Sequence, residues 1–311
     1  MKIFFNTIKS IITLTLATTI FIACSKDPEN PTDERRDKGH DDATKVEFII
    51  RKGHLHGSKF HADPISAINP IQKFYFEADK ETYNWVRKDE NGKILTENDP
   101  ILMIENEGRT VYSLEIIYYN NKNERMNNEF TTSEMLPIHQ HFFEVDNYYD
   151  TQNNKTINNT ENLWTYTYRD TDPENVMVDQ LINPTESTRR SVLTDNPLGL
   201  KGYFAPKIAY AKFNMYTILY HITKGTKYIN NDSSKGFYPF NKAGDELVAR
   251  SSTDFAQKIP VHIFTSVPDG EAEKTEKYHN DLAKQYNISV EEVKTLLKEE
   301  KRNVESSNFY M

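Results

Sequence analysis

The chain has 311 residues, of which 37% are hydrophobic and 12% aromatic, and its formal net charge at pH 7 is −8. This composition can furnish the core of one large domain or two ordinary ones and excludes a disordered protein. The negative charge argues against nucleic acid and anionic membrane surfaces as partners. Abundant tyrosine (18) and phenylalanine (17) beside sparse glycine (11) favour aromatic strands over a glycine-rich nucleotide-binding sheet.

The beginning of the chain has the features of an export signal. Two lysines precede an apolar run from residue 11 to residue 22, which is too short to span a bilayer comfortably. The segment Phe21-Ile22-Ala23-Cys24 resembles a bacterial lipobox, and the resemblance implies cleavage before Cys24 and attachment of lipid to its sulfur. Residues 1–23 are therefore predicted to be a lipoprotein signal peptide, with an uncleaved anchor helix or a plain signal peptide as the alternatives.

Lipidation of Cys24 has two consequences, because this residue is the only cysteine of the chain. No thiol is left for disulfides, catalysis or metal binding, and the lipid holds the protein on a membrane. Residues 24–44 are then the lipidated cysteine and a flexible acidic tether. The start Ser25-Lys26-Asp27 is similar to the signals that follow the cysteine in surface-displayed lipoproteins. We expect a cell-envelope location, with the outer membrane favoured and surface exposure as a further possibility.

A hydrophobic period of two begins at residue 45 and is typical of half-buried strands. Strands are predicted over residues 45–51, 72–77, 83–88, 93–96, 101–105, 110–119, 138–145, 164–168 and 259–266, and the strongest sheet signal covers residues 200–228. Residues 148–162 are predicted to be a loop. Residues 45–266 are accordingly predicted to form one mainly β domain, an antiparallel β-sandwich or a barrel-like fold.

The last part of the sequence changes from strand to helix character. Apolar residues recur at helical spacing over residues 271–286 and 290–304, on a charged background. Ser289 followed by Glu292 is the pattern of a capping box at the start of the second helix. Residues 267–311 are predicted to form a C-terminal helical hairpin.

The nine histidines are unevenly distributed. His54, His56 and His61 lie within eight positions, and His139 and His141 repeat the His-x-His spacing. Random placement would give roughly 0.3 such pairs, and a strand places both members of a pair on one face. Neutral imidazole is the commonest nitrogen ligand of metals, so these five residues are the candidate metal site. Nitrogen and oxygen donors without a thiol suit Zn²⁺, Cu²⁺, Ni²⁺ or Fe, and haem is a further possibility.

Other interpretations compete with metal binding. The histidines could instead be structural residues that bond to backbone, and His221 is predicted to be a hydrogen-bonded core residue. Acidic side chains alternate in residues 170–174 and could offer oxygens to Ca²⁺, although a solvated turn is favoured because the EF-hand glycine and distal glutamate are missing.

A resemblance to known proteins rests on three short segments. Arg51-Lys52-Gly53-His54-Leu55-His56-Gly57, Phe60-His61 and His139-Gln140-His141-Phe142-Phe143 together resemble uncharacterised surface lipoproteins of Gram-negative bacteria. The resemblance spans most of the mature chain. It implies the location and brings no established activity with it.

The sequence therefore predicts a lipid-anchored β protein that binds a transition metal or a metal-containing ligand, for delivery to an outer-membrane transporter. The first alternative is a surface module that binds a glycan, peptide or protein. The second is a metal-dependent hydrolase, which is disfavoured because Glu144 points away from His139 and His141 on a regular strand and no catalytic signature occurs. No catalytic residue is predicted.

Overall fold

The computed structural model describes residues 38–79, 81–82, 84–174, 191–193 and 195–311. The predicted signal peptide, Cys24 and most of the predicted tether lie outside these residues. A compact unit extends from His40 to Met311, so it begins five residues before the domain start predicted from the sequence. Among the described residues, none of the helices has the length and apolar character that a membrane span requires.

The described residues contain fifteen strands and four α-helices. The strands are β1 (Lys45–His56), β2 (Lys59–Ala62), β3 (Gln72–Ala78), β4 (Trp85–Asp89), β5 (Ile101–Glu105), β6 (Val111–Tyr119), β7 (His139–Glu144), β8 (Tyr148–Asp150), β9 (Lys155–Ile157), β10 (Trp164–Tyr168), β11 (Thr171–Asp172), β12 (Ser191–Val192), β13 (Lys201–Pro206), β14 (Ala211–Ile222) and β15 (Ser251–Ser266). The helices are α1 (Asn127–Phe130), α2 (Asp245–Ala249), α3 (Ala272–Tyr286) and α4 (Val290–Arg302).

Most strands belong to two sheets. The first is antiparallel, with the order β10-β13-β6-β1-β3-β4 and with β2 paired to β1. The second has the order β5-β15-β14-β8-β9, with β7 also paired to β14, and its β5–β15 pair is parallel. Together with the two C-terminal helices, these sheets confirm the predicted mainly β fold, which is sandwich-like.

Aromatic side chains fill the space between the two sheets. Phe255 of β15 lies within 5.9 Å of Phe48, 5.6 Å of Phe76 and 6.0 Å of Tyr118, measured between ring centroids. The last three residues belong to β1, β3 and β6 of the opposite sheet. Alternation of apolar and polar residues along these strands therefore builds one shared core.

The C-terminal helices pack on this core and lead into an extended segment. The side chain of Ser289 accepts a hydrogen bond from the backbone N–H of Glu292 (3.2 Å), so the predicted cap of α4 is present. After α4, the chain runs beside β2: Phe60 and Met311 exchange backbone hydrogen bonds of 2.8 and 3.0 Å. We call residues 303–311 the C-terminal tail.

Two local expectations are corrected. Residues 148–162, predicted to be a loop, contain the β8–β9 hairpin. The acidic segment 170–174 is not a solvated turn at its ends, because Asp170 and Glu174 are buried. The carboxylate of Asp170 accepts four backbone N–H groups, from residues 198, 199, 200 and 201, at 2.7–3.1 Å. This side chain fixes the loop that leads into β13.

Replacing Asp170 by Asn should destabilise the fold, because the amide would point its NH₂ group at two of the four backbone donors. We expect the free energy of unfolding to fall by about 2–4 kcal/mol. Urea denaturation followed by circular dichroism measures the change. Asp172→Asn, at an exposed position of the same segment, should change it by less than about 0.5 kcal/mol. Equal effects of the two variants would contradict the role given to Asp170.

Candidate metal centres

Six of the nine histidines gather in two groups, each with one carboxylate. The surface cluster consists of His54, His56, His61 and Glu305, and the buried cluster consists of His40, His139, His221 and Asp254. Within each group, one potential ligand atom per residue lies within 4.8 Å of the others. Either group could hold a metal ion.

Strand pairing and the C-terminal tail assemble the surface cluster. The β1–β2 hairpin places His54 directly opposite His61, and His56 follows on the same face of β1. Glu305 comes from the C-terminal tail. Its carboxylate oxygens lie 3.4 Å from Nε2 of His56 and 3.5 Å from Nδ1 of His61, and Nε2 of His54 lies 3.0 Å from Nε2 of His56.

Contacts on the outer side of the cluster fix the tautomers of two imidazole rings. Nδ1 of His54 lies 2.8 Å from Oδ1 of Asp63, and Nε2 of His61 lies 2.9 Å from the carbonyl oxygen of Ser307. An oxygen acceptor requires the hydrogen on the nitrogen that faces it, so in the neutral ring the other nitrogen carries the lone pair. Nδ1 of His61 is buried and has no hydrogen-bond partner. These are the outer-shell contacts that metal-binding imidazoles commonly make.

The surface cluster is open to solvent on one side. The side chains of His56 and Glu305 are 44% and 61% exposed, whereas that of His61 is fully buried. The ring of His61 is also stacked on Tyr310, with centroids 4.2 Å apart. An ion bound here would have a fixed inner ligand and mobile outer ligands.

Three strands of the second sheet, together with the segment before β1, form the buried cluster. His139 of β7 is the cross-strand partner of His221 of β14. On the other side of β14, the register of β15 shifts between Leu219 and Tyr220, and Asp254 is the extra residue of this bulge. A bulge re-aims a side chain that regular alternation would direct elsewhere. His40 completes the group from the N-terminal side.

The electrostatics of the buried cluster follow from its low exposure. Burial lowers the pKa of His139 below the usual value of an imidazole. Burial would raise the pKa of Asp254, but attraction by the imidazoles of His139, His221 and His40 outweighs it and holds the pKa of this carboxyl well below its usual range. An anionic carboxylate therefore faces three rings.

His141 lies in neither cluster. Its Nε2 lies 2.8 Å from the Tyr118 hydroxyl, and its Nδ1 lies 3.0 Å from the carbonyl oxygen of Leu198. Burial lowers the pKa of His141 to about 3. Both ring nitrogens are thus used within the core, and His141 is not placed to bind a metal together with His139.

The structure brings together three of the five predicted ligands. His54, His56 and His61 meet, whereas His139 belongs to the other cluster, so the two His-x-His pairs do not share one site. Sequence reasoning missed Glu305 and Asp254, assigned His40 to the tether and assigned His221 to the core. Two signals in the sequence were available. His40 lies at the border of the acidic segment, and His221 lies on a predicted strand.

No protein-family model, curated protein or solved structure matches this chain.

The contact between Asp63 and His54 predicts that Asp63 increases the metal affinity of the surface cluster. Asp63→Asn should weaken Zn²⁺ binding at the surface cluster about 10- to 100-fold, because the amide orients His54 less firmly and makes it less basic. Competition with a chromophoric chelator measures the affinity.

The matched control is Glu300→Gln. Glu300 and Asp63 both pair with Lys52, but of these two carboxylates the structure shows only Asp63 in contact with His54. Glu300→Gln should leave the affinity within about twofold of the unaltered chain. Equal losses in the two variants would assign the effect to Lys52 instead.

Proposed function

We propose that this protein is a lipid-anchored transition-metal-binding protein of the cell envelope, and that the surface cluster is its exchangeable site. The observation that carries the proposal is the environment of Nδ1 of His61. This nitrogen is buried, has no hydrogen-bond partner, and lies 3.5 Å from Glu305 in a ring of donors completed by His54 and His56. A bound cation would use this lone pair.

The donor set favours a bare ion. Three imidazole nitrogens and one carboxylate without thiolate suit Zn²⁺, Cu²⁺, Ni²⁺ or Fe. Four of the donor pairs are 3.0–3.7 Å apart and all four donors lie within 4.8 Å of one another, which matches the coordination sphere of a small ion and leaves no room for a porphyrin between them. Zn²⁺ fits best, since tetrahedral coordination at about 2.0–2.1 Å places donors about 3.3–3.4 Å apart.

The exposure of the surface cluster suits a site that takes up and releases an ion reversibly. His56 and Glu305 can move into solvent without exposing core, so the ion can enter and leave at this side. Lipid on Cys24 would keep the domain at the membrane. We propose delivery of the ion to an outer-membrane transporter as the use of this arrangement.

A second candidate function is the binding of a glycan or peptide. An open groove of about 700 Å³ lies away from both clusters and is lined by polar and aromatic side chains, among them Glu97, Asp146, Tyr149, Tyr216 and His262. Aromatic rings beside acidic and amide groups suit sugar binding. Loss of glycan binding in Tyr149→Ala, with metal binding unchanged, would support this function.

The double variant His56→Ala/Glu305→Ala should lose one equivalent of exchangeable Zn²⁺, because it removes two of four ligands. Both side chains are exposed, so the fold should be preserved, as circular dichroism can verify. Isothermal titration of the chain from residue 25 onward measures the stoichiometry. His279→Ala, which changes a histidine outside both clusters, is the control. Unchanged stoichiometry in the double variant would contradict the proposal.

Replacing Cys24 by Ala should abolish lipidation and release the protein from the membrane, because no other cysteine can be acylated. Metabolic labelling with an alkynyl fatty acid and partition into Triton X-114 measure the two effects. Ser25→Ala should retain both label and partition. Continued membrane association of the Cys24→Ala protein would instead indicate an uncleaved anchor helix.

A further inference from the structure

The four donor atoms of the buried cluster lie at the corners of a nearly regular tetrahedron. The three nitrogen–nitrogen distances among His40, His139 and His221 are 3.1, 3.2 and 3.4 Å. Oδ2 of Asp254 lies 3.2, 3.3 and 3.6 Å from the same nitrogens. Tetrahedral Zn²⁺ with ligand distances of about 2.0–2.1 Å has donors about 3.3–3.4 Å apart. An ion at the centre would require little movement of any ligand.

Hydrogen bonds on the far side of two rings show which nitrogens face the centre without a proton. Nδ1 of His40 lies 2.8 Å from the carbonyl oxygen of Asp41, and Nδ1 of His139 lies 2.8 Å from that of Met135. Both Nδ1 atoms therefore carry the hydrogen in the neutral rings. The two Nε2 lone pairs then point at each other across 3.2 Å, a contact that a metal ion or a proton between them would relieve.

The buried carboxylate of Asp254 likewise requires a positive charge nearby. Its Oδ2 is buried and forms no hydrogen bond of normal geometry, although three ring nitrogens lie within 3.6 Å. The imidazoles stabilise this anion only where a ring nitrogen that faces it carries a proton, whereas coordination to a metal ion would satisfy the carboxylate and all three nitrogens together. The unpaired oxygen and the facing lone pairs belong to the same four atoms, and both fit a metal ion at their centre.

We infer that the buried cluster is a second, closed metal site that binds Zn²⁺ as a structural ion. Four protein ligands complete a tetrahedral shell and leave no position for substrate, as in structural zinc sites. The ring of Phe130 packs on His40 and His139, with centroids 4.8 and 5.2 Å away, and shields the site on an apolar side. This site does not depend on the surface cluster.

The ion would join the start of the folded unit to the second sheet. Three ligands come from β7, β14 and β15, while His40 belongs to the segment that precedes β1 in the first sheet. A cavity of about 310 Å³, lined by Asp41, Asp42 and Trp85 among others, reaches His40 and Asp254. This cavity provides a path by which the ion can enter after export. Zinc binding would thus fasten the segment that precedes β1 to the second sheet.

Metal content of the mature chain from residue 25 onward tests the inference. After exposure to a mild chelator that empties the surface cluster, mass spectrometry should find one equivalent of Zn²⁺ in the unaltered chain and in His56→Ala/Glu305→Ala. His40→Ala should retain almost none. His141→Gln changes a buried histidine of the same β7 strand outside the cluster and should retain the full equivalent. No retained Zn²⁺ in the unaltered chain, or equal loss in His40→Ala and His141→Gln, would overturn the inference.

A second variant keeps the test decisive if His40→Ala does not fold. Asp254→Cys exchanges one anionic ligand for another, and the chain from residue 25 onward has no other cysteine. With Co²⁺ in place of Zn²⁺, this variant should gain a sulfur-to-cobalt charge-transfer band, while the unaltered chain should show only the intense visible bands of tetrahedral Co²⁺. The variant is made together with His56→Ala/Glu305→Ala, so that Co²⁺ cannot bind at the surface cluster. A folded protein of this kind that binds Co²⁺ without the charge-transfer band would exclude residue 254 as a ligand.

Discussion

Antiparallel strand register is the constraint on which both clusters depend. It places His54 opposite His61 on the β1–β2 hairpin and His139 opposite His221 on β7 and β14. Residues directly opposite each other have Cβ atoms about 4.5–5.5 Å apart, which is close enough for two imidazoles to converge on one point. In each case a segment from outside the pair supplies the carboxylate. A shift of register by one residue would turn the histidines to the other face and remove both sites.

The sequence predicted the elements of this fold well where local pattern determines them. Period-two alternation identified β1, β6 and β7, helical spacing identified α3 and α4, and histidine spacing identified the three imidazoles of the surface cluster. Each of these signals is contained within a short stretch of chain, because the residues that produce it are close together in sequence.

The remaining ligands could not be predicted, because tertiary contacts place them. His40 follows a charged segment with no large apolar residue, which is the composition of a tether. Asp254 lies in the polar first half of β15, where Ser251 to Gln257 show little alternation, and only the bulge against β14 turns it inward. Glu305 follows a helix and reaches its partners through the C-terminal tail, about 250 residues away from His54 in sequence.

Burial gives the same donor chemistry two different uses. At the surface cluster, water can replace the ion as the partner of His56 and Glu305, so removing the ion costs little beyond the metal bonds themselves. At the buried cluster, removal of a bound ion would leave only protons to hold the Asp254 carboxylate and the facing ring nitrogens together. Residues that are not members of the clusters hold both arrangements in place. The ammonium of Lys227 donates a hydrogen bond to the carbonyl oxygen of His139 (3.0 Å), and backbone pairing of Met311 with Phe60 holds the tail that carries Glu305. Because these contacts already position the side chains of both clusters, an ion that binds would cost little conformational entropy, and we expect its affinity to depend also on residues that never touch it.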